Sequence, residues 1–434
     1  MKSFLTRPKR KSSGSPEWEP HGNGPDDDEP TEFKLAVLAS MHPEVSQDVL
    51  LDVLLAHEGS VSAASASFNV TAIAPKKNGS TAVGYQQSLR HFATSSETEN
   101  AQRKKLRSKK GSTLHLYSPE DVAEHTPCTI IHNFLAADTA SDLLKEMLAE
   151  STTFEKNTFK LFDNVVSSPH TSSFFVESFD DIRIQKTEFL YNGSTLTDVR
   201  RITPQLAKVK PLVQEAVNKE IQNRIKTRYP GGKKLRYQSP DAWVPNSAFC
   251  NCYDGAQQNV GWHSDQLTYL GPRAVIGSIS LGVAREFRVR RVLPKDDEGK
   301  ESANSDAEGQ ISIHLPHNSL LVMHAEMQEE WKHCVTPAPS IDPHPIAGNK
   351  RINITYRDYK ANMHPRGTPK CNCSVPCVLR VVQRKKENFG RYFWMCHAGN
   401  IPGKEGCTFF AWAEFDDDGN PKYSRASERT RPSA

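Results

Sequence analysis

The stretch Arg351-Ile352-Asn353-Ile354-Thr355-Tyr356-Arg357 decides the fold of the central part of this chain. Side chains alternate between the two faces of a strand, so its three large apolar residues would face one way and its polar residues the other. Two arginines on the inner face of a sandwich are costly to bury unless anions pair with them. The stretch therefore predicts a strand that presents Arg351, Asn353 and Arg357 to a dicarboxylate, whose carboxylates each accept two parallel guanidinium hydrogen bonds. A pair of solvent-facing arginines is the alternative.

Two further motifs carry side chains that would meet this strand. Asn251 and Tyr253 lie two residues apart, so on a strand they share a face and can donate hydrogen bonds to the same acid. His263 and Asp265 are also two apart, and His333 follows beyond two strand candidates. Two histidines and one carboxylate leave three positions of a metal open, the arrangement with which non-haem Fe(II) oxygenases bind a co-substrate and O2. A surface turn is the alternative for an isolated His-x-Asp motif. The histidines that lack this arrangement are not expected to be ligands: His170, His314, His317 and His324.

Hydrophobic periodicity around these motifs predicts one α+β domain over residues 113–362. Apolar residues recur at helical spacing over Leu135–Glu150 and Gln205–Tyr229. Helices followed by strands favour helices packed on one side of an antiparallel sandwich. The acidic segment Pro294–Gln310 is predicted to be a loop. The strand candidates are Asn246–Tyr253, Val275–Leu281, Glu286–Arg291, Ile311–Leu315, Ser319–His324 and Arg351–Arg357.

Composition limits the class of protein. A chain of 434 residues predicts roughly two to four domains at ~100–200 residues each. The 55 Lys and Arg against 51 Asp and Glu give a net charge of +4, which is too small to indicate a polyanionic partner by itself. No apolar run approaches the ~18 residues of a membrane span, and the first residues lack the apolar stretch of a secretory signal. We therefore expect no membrane partner, and the nine cysteines are interpreted as metal ligands or free thiols before disulfides.

The N-terminal part divides into a polar tail over residues 1–30 and a helical unit over residues 31–70. Apolar spacing and helix-breaking residues predict three short helices in the unit. The unit resembles the CUE family of ubiquitin-binding domains, in which a Met-Phe-Pro loop and a late Leu-Leu contact ubiquitin. Here the loop reads Met41-His42-Pro43, and Ser67-Phe68 stands near the Leu-Leu position. Ubiquitin contact and a plain packing module both remain open interpretations.

Two basic runs bear on location. Arg7–Lys11 lies in the tail, and Arg103–Lys110 lies in a basic polar linker over residues 71–112. Each is either a nuclear import signal or a solvated charge run, and the second run could also contact phosphates. We expect a nuclear protein on this basis.

The motifs of the central domain resemble the AlkB family of Fe(II)/2-oxoglutarate dioxygenases. The motifs that carry the resemblance are Asn251-x-Tyr253, His263-x-Asp265, His333 and Arg351-x-Asn353-x-x-x-Arg357. The resemblance implies a double-stranded β-helix, or jelly-roll, core that uses Fe(II), 2-oxoglutarate and O2. The implied Fe(II) ligands are His263, Asp265 and His333. The implied 2-oxoglutarate contacts are Arg351, Asn251 and Tyr253 at the distal carboxylate, and Asn353 and Arg357 at the metal end.

The details of the match favour the branch of the family that repairs alkylated DNA and RNA bases. Gln266-Leu267 departs from that branch, whose members usually carry acidic residues there, and the identity of the base is left open. A base inside a duplex cannot reach a buried metal, so the nucleotide must be flipped or single-stranded. Residues 155–200 are interpreted as a lid over the base, with ordinary sheet packing as the alternative. The lid aromatics are Phe162, Phe174, Phe175 and Tyr191.

Residues 368–416 hold five cysteines and are predicted to form one metal-bound unit. Four thiolates from two separated pairs suit a tetrahedral structural Zn2+, and a segment this short needs such a staple. Gly390-Arg391-Tyr392-Phe393 resembles the signature of the GRF zinc finger, with a Tyr inserted. Cys377 is a competing candidate ligand. The assigned zinc ligands are Cys371, Cys373, Cys396 and Cys407.

The resemblance to GRF fingers implies binding of single-stranded nucleic acid. The basic residues available for phosphates are Arg380, Arg384, Lys385, Lys386 and Arg391, and the aromatic residues available for stacking on bases are Phe409 and Trp412. A basic surface over a packed aromatic core is the alternative. Because metal binding supplies the folding energy of such a unit, we expect the finger to unfold without Zn2+ and the central domain to survive on its own core. Residues 417–434 are predicted to be a disordered tail.

The leading hypothesis is therefore a nuclear Fe(II)/2-oxoglutarate-dependent dealkylase of DNA or RNA bases. Its finger would bind single strands, and its head could bind ubiquitin. One alternative is a 2-oxoglutarate-dependent hydroxylase or demethylase of protein, or a hydroxylase of lipid. A second alternative is a non-catalytic adaptor that links ubiquitin to single-stranded DNA. The complete set of candidate iron and 2-oxoglutarate residues argues against the adaptor.

Overall fold

The computed structural model describes residues 112–161, 164–191, 194–294, 309–401 and 403–422, together with residues 38, 50, 53–54, 56–57 and 60–69. The chain splits into two compact units, Met1–Thr98 and Glu99–Ala434. In the first unit the structure describes one helix, and Leu38, Leu50, Leu54 and Ala64 share a buried cluster. The two basic runs, the Met41-His42-Pro43 loop, most of Pro294–Gln310 and all but the first residues of the C-terminal tail lie outside the described residues.

The described helices are α1 Val61–Asn69, α2 Pro119–His125, α3 Ala137–Ser151, α4 Phe179–Glu188, α5 Pro204–Arg228 and α6 Met327–Glu330. None of these helices is long and apolar enough to cross a membrane. The strands of the N-terminal half of the second unit are β1 Thr113–Leu116, β2 Cys128–His132, β3 Thr158–Leu161, β4 Asn164–Ser167, β5 Thr171–Val176, β6 Leu190–Tyr191, β7 Ser194–Thr195 and β8 Val199–Arg201. The remaining strands are β9 Ser247–Asp254, β10 Val260–His263, β11 Ile276–Gly282, β12 Arg285–Arg291, β13 Gln310–Leu315, β14 Ser319–Met323, β15 Trp331–Val335, β16 Lys350–Arg357, β17 Val378–Val381, β18 Tyr392–Met395 and β19 Phe410–Ala413.

Two facing sheets form the core of the second unit. The larger sheet has the order β2-β14-β11-β16-β9-β5-β8, and the smaller has the order β1-β13-β12-β15-β10. Most neighbours are antiparallel, but β1 with β13 and β5 with β8 run parallel, so the sheets are mixed rather than purely antiparallel as the sequence predicted. Strands β17, β18 and β19 form a third sheet.

Helices α3 and α5 cover one face of the larger sheet. Their apolar residues at helical spacing are buried in the same cluster as Ile352, Ile354 and Tyr356 of β16. This confirms the period-two prediction for β16: its apolar side chains face the helices, and its polar side chains face the smaller sheet. Gly282 closes β11 at a φ of 87°, where a Cβ would lie 2.3 Å from the Lys350 carbonyl oxygen, so only glycine fits this turn.

The third sheet packs directly on the core formed by the two facing sheets. One buried cluster contains Leu379 and Trp394 of this sheet together with Leu267, Val289 and Val335 of the core. The central domain has a core of its own between the larger sheet and the helices, as expected, but the finger shares this second cluster with it. Survival of the central domain without the finger stays a prediction.

Two of the aromatic residues predicted to form a lid over the base are buried inside the larger sheet instead. Phe174 and Phe175 belong to β5 and are 0% and 1% exposed, in clusters on opposite faces of the sheet. For these two residues the sheet-packing alternative is confirmed. Phe162 lies outside the described residues, and the side chain of Tyr191 is not described.

Candidate active site and zinc finger

The candidate iron ligands meet where the smaller sheet ends. β10 and β15 are neighbours, and His263 lies opposite His333 in their register. Asp265 Oδ1 lies 3.6 Å from His263 Nε2 and 3.5 Å from His333 Nε2. Ligand atoms of these three residues all lie within 4.8 Å of one another. Two imidazoles and one carboxylate grouped in this way form the facial ligand set that suits Fe(II).

The protonation states of His263 and Asp265 suit metal binding. Burial and the neighbouring His333 lower the pKa of His263 to about 4, so its imidazole is neutral at pH 7. The Gly261 carbonyl, 2.7 Å from His263 Nδ1, orients the ring so that Nε2 faces Asp265. Burial by itself would raise the pKa of Asp265, but Arg357 and His333 hold that pKa well below its usual value. Arg357 Nη2 donates to Asp265 Oδ2 at 2.6 Å, so the carboxylate is held as an anion.

The residues predicted to contact 2-oxoglutarate lie together on β16 and β9. Arg351 lies opposite Tyr253, and Asn353 lies opposite Asn251, in the antiparallel register of the two strands. Arg351 is 1% exposed, its guanidinium stands 5.2 Å from the Tyr253 ring centre, and its Nε donates to Ser280 Oγ at 2.9 Å. Burial lowers the pKa of Arg351 to about 10, so the residue still carries its charge at neutral pH.

An unsatisfied buried donor indicates that this pocket fits an anion. Arg351 Nη1 is buried and has no hydrogen-bond partner among the described residues. An unpaired buried guanidinium is strongly destabilising, and a carboxylate of 2-oxoglutarate would satisfy it. Asn353 is engaged more than the sequence indicated: its Oδ1 accepts from Arg351 at 2.7 Å and its Nδ2 donates to Thr355 at 2.8 Å. A direct contact from Asn353 to 2-oxoglutarate therefore stays a prediction.

His170 is a candidate site residue that the sequence reasoning set aside. Its ring stacks on Tyr253 with the centres 4.7 Å apart, and its Nδ1 lies 3.1 Å from the Asn259 carbonyl oxygen. Burial lowers the pKa of His170 to about 4, so the neutral ring forms one wall behind Tyr253. No local spacing in the sequence links His170 to β9, because the contact comes from the pairing of β5 with β9.

The four assigned cysteines of the C-terminal unit form a second cluster. Ligand atoms of Cys371, Cys373, Cys396 and Cys407 all lie within 4.8 Å of one another. Backbone N–H groups of Ala398 and Cys407 donate to Cys396 Sγ, each at 3.4 Å. Cys377 is buried, is not part of this cluster, and burial raises the pKa of its thiol to about 12. The geometry fits a tetrahedral zinc site made of the four thiolates.

The exposed aromatic residues of the finger are Phe410 and Trp412, whereas the sequence predicted Phe409 and Trp412. Phe410 and Trp412 are 51% and 41% exposed, and the Phe410 ring stacks on Phe393 at 5.2 Å between centres. Phe409 instead packs against the cluster that the finger shares with the core. The Arg391 guanidinium stands 3.7 Å from the Trp412 ring centre. Arg380, which pairs with Phe393, is also exposed, and so are Lys385 and Lys386 elsewhere on the finger.

This chain belongs to the 2OG-Fe(II) oxygenase superfamily, whose family model matches residues 127–357. The cofactors of this family are Fe(II), 2-oxoglutarate and O2. The GRF zinc finger model matches residues 369–416, and its cysteine cluster supports bound Zn2+.

Curated relatives indicate which part of the superfamily the chain resembles. It is 32% identical over 137 residues to mouse alpha-ketoglutarate-dependent dioxygenase alkB homolog 3, covering 32% of this chain and 44% of the relative. It is 34% identical over 124 residues to the DNA oxidative demethylase ALKBH2 of Arabidopsis thaliana, covering 26% and 37%. The finger region is 41% identical over 49 residues to endonuclease 8-like 3 of Xenopus laevis, covering 11% and 8%. The chain thus spans less than half the length of these relatives. Among solved structures, OsALKBH1 matches at 16% identity and a TM-score of 0.34, covering 54% of this chain and 96% of that one.

Proposed function

We propose that this chain catalyses the Fe(II)/2-oxoglutarate-dependent oxidative dealkylation of N-alkylated bases in DNA or RNA. The observation that carries the proposal is the group His263, Asp265 and His333 beside the buried, partly unsatisfied Arg351. The resemblance to the alkB homolog 3 and ALKBH2 dioxygenases supports the choice of substrate.

The chain's own residues divide the work of such a reaction. When bound, iron and 2-oxoglutarate would supply the oxidation: one oxygen atom of O2 would enter succinate as 2-oxoglutarate loses CO2, and the other would hydroxylate the N-alkyl carbon, which then leaves as an aldehyde. Asp265, His263 and His333 would hold the metal, and Arg357 keeps Asp265 anionic. Arg351 and Tyr253 would orient the co-substrate, whose carboxylate would neutralise the buried guanidinium.

A basic strip beside the ligands suits a nucleic-acid substrate. Arg290 of β12 lies opposite Lys332 of β15, one residue before the ligand His333. The Arg290 guanidinium stands 4.6 Å from the ring centre of Trp262, the residue before His263. Positive charge next to an aromatic ring can hold phosphate and stack on a base.

The proposal assigns separate tasks to three parts of the chain. Residues 113–362 form the dioxygenase domain and residues 368–416 the single-strand-binding finger. Residues 31–70 form a CUE-like head that contacts ubiquitin. The sequence motif and the buried cluster of Leu38, Leu50, Leu54 and Ala64 support the head. We place the protein in the nucleus because a base-repair substrate and the basic runs agree with that compartment. Ubiquitin shift assays on the full chain and on a chain lacking residues 1–75 test the head: equal binding by both would contradict its role.

Mass spectrometry of oligonucleotides tests the activity. The full chain is incubated with Fe(II), 2-oxoglutarate, O2 and methylated single-stranded DNA or RNA, with the unmethylated strand as the substrate control. We expect loss of the methyl group and matching amounts of succinate, and loss of both products in Asp265→Ala. Lys404→Ala, an exposed finger position, is the control variant and should keep full turnover. Succinate formation that is stimulated by a protein and never by a methylated strand would instead favour the protein hydroxylase.

A further inference from the structure

One side chain of the finger, Gln383, reaches both the metal-ligand loop and α6. Gln383 follows β17, and its Nε2 lies 3.1 Å from the backbone oxygen of Gln328 and 3.1 Å from that of Glu329. The same nitrogen lies 3.4 Å from Ser264 Oγ. An amide nitrogen has two hydrogens, so Gln383 ties the finger to α6 and to the residue between two candidate iron ligands.

The groups that Gln383 holds also hold Asp265. Gln328 Oε1 accepts a hydrogen bond from the Asp265 backbone N–H at 2.7 Å. Ser264 Oγ donates to the Trp331 carbonyl oxygen at 2.9 Å, which links the ligand loop to the start of β15. Gln328 is 1% exposed, so this arrangement is enclosed. A change at Gln383 therefore acts on Asp265 through one intermediate residue.

The loop after Asp265 is also built to receive the finger. Leu267 is 3% exposed and belongs to the hydrophobic cluster that contains Leu379 and Trp394. Thr268 Oγ1 accepts from the Leu379 backbone N–H at 3.1 Å. The finger therefore packs on Leu267, where a charged side chain would be costly to bury. This gives a structural reason for an apolar residue at position 267.

We propose that Gln383 is a positioning residue of the iron site, so that the zinc finger is a structural part of the catalytic centre in addition to any nucleic-acid binding. The proposal rests on the assignment of iron to His263, Asp265 and His333. Gln383 touches neither metal nor substrate. It fixes α6 and Ser264, and these fix the direction in which the Asp265 carboxylate points. Removing a group that hydrogen-bonds a metal ligand typically changes metal affinity by about 10–100-fold, and Gln383, which acts through one further residue, is expected at the lower end of that range.

An anaerobic Fe(II) titration at saturating 2-oxoglutarate tests the proposal without turnover. The readout is the visible charge-transfer band of the Fe(II)–2-oxoglutarate complex, and zinc content and thermal melting are measured for each protein. Gln383→Ala should weaken Fe(II) binding by about 10-fold with zinc retained. Gln383→Glu keeps the size of the side chain but places an acceptor against two carbonyl oxygens, so it should weaken Fe(II) binding at least as much. Glu387→Ala, an exposed side chain of the same segment, is the matched control and should bind Fe(II) like the wild type.

The outcomes separate the possibilities. Wild-type Fe(II) affinity in Gln383→Ala would overturn the positioning role. Recovery of wild-type affinity in Gln383→Glu would overturn it too, because packing rather than donation would then be the cause. If Gln383→Ala loses zinc or fails to fold, the size-matched Gln383→Glu decides by the same criterion. His263→Ala should abolish the band; a band that persists would overturn the iron assignment itself, whatever the Gln383 variants show.

Discussion

The carboxylate of Asp265 is paired with the guanidinium of Arg357, whose Nη2 lies 2.6 Å from Oδ2, and both side chains are 9% exposed. Asp265 offers its other oxygen, Oδ1, to the two histidines. One oxygen is thus neutralised by Arg357 of β16, and the other faces the two histidines. The pair couples the candidate iron ligands to β16.

Removing the cation of this pair should destabilise the protein and weaken metal binding. Arg357→Met leaves a buried carboxylate uncompensated, which costs about 3–5 kcal/mol of unfolding free energy at neutral pH. The folded-state pKa of Asp265 is depressed, so its contribution to stability is present above its unfolded pKa of about 3.9 and is lost as the pH falls toward the folded value. Urea unfolding of both proteins between pH 7 and pH 3 checks this. The difference between wild type and variant should shrink below about pH 4, and a difference independent of pH would contradict the role of the ion pair.

Removing the charge of Arg351 should raise the requirement for 2-oxoglutarate. In Arg351→Leu a charged hydrogen-bond partner is lost at a desolvated site, which should weaken the binding of 2-oxoglutarate by about 2–5 kcal/mol. Lys350→Leu is the matched control, because Lys350 is the neighbouring cation on β16 and pairs with Asp254 at 3.9 Å on the half-exposed side. The measurement is the KM for 2-oxoglutarate from succinate formation. Equal KM values for the two variants would refute the assignment of Arg351.

The two adjacent phenylalanines of the finger should respond differently to truncation. Phe410→Ala removes an exposed stacking surface and should weaken single-stranded DNA binding by about 1–3 kcal/mol with little change in stability. Phe409→Ala removes a side chain packed on the shared core and should lower the melting temperature instead. Fluorescence anisotropy and thermal melting on both variants give the comparison. Reversed effects would show that the exposed face does not carry the binding.

Local patterns explain what the sequence could predict. The alternation in Arg351–Arg357 decides which side chains reach the pocket, because a one-residue shift would bury both arginines against the helices. The spacing of His263 and Asp265 places both side chains on one side of the chain at the end of β10. The cysteine spacing likewise identifies the cluster that the structure brings together.

Other features could not be predicted from the sequence, because they depend on contacts between distant segments. Phe174 and Phe175 look like lid residues only if one face of β5 is free, but both faces of the larger sheet are covered. Phe409, just before β19, packs on the cluster shared with the core, and Phe410, the first residue of β19, is exposed; only the docking of the finger decides which is which. Gln383 has no motif at all, since its role depends on how the finger docks on α6.

Loss of zinc should therefore reach beyond the finger. In Cys396→Ser the cluster of four thiolates is broken, and the metal supplies most of the folding energy of so small a unit. Because Leu379 and Trp394 share a buried cluster with Val289 and Val335, an unfolded finger exposes apolar surface of the catalytic core.

We expect Cys396→Ser to lower the melting temperature of the whole second unit and to reduce 2-oxoglutarate turnover even on short substrates. Cys377→Ala is the control, since it removes a buried thiol that does not belong to the four-cysteine zinc cluster, and it should retain zinc. Zinc content, melting temperature and turnover on a short and a long oligonucleotide are measured together. If the finger only tethered the strand, Cys396→Ser would keep normal turnover on the short oligonucleotide and a normal melting temperature for the core. A defect on both lengths, with the core melting earlier, is the result that the shared cluster predicts.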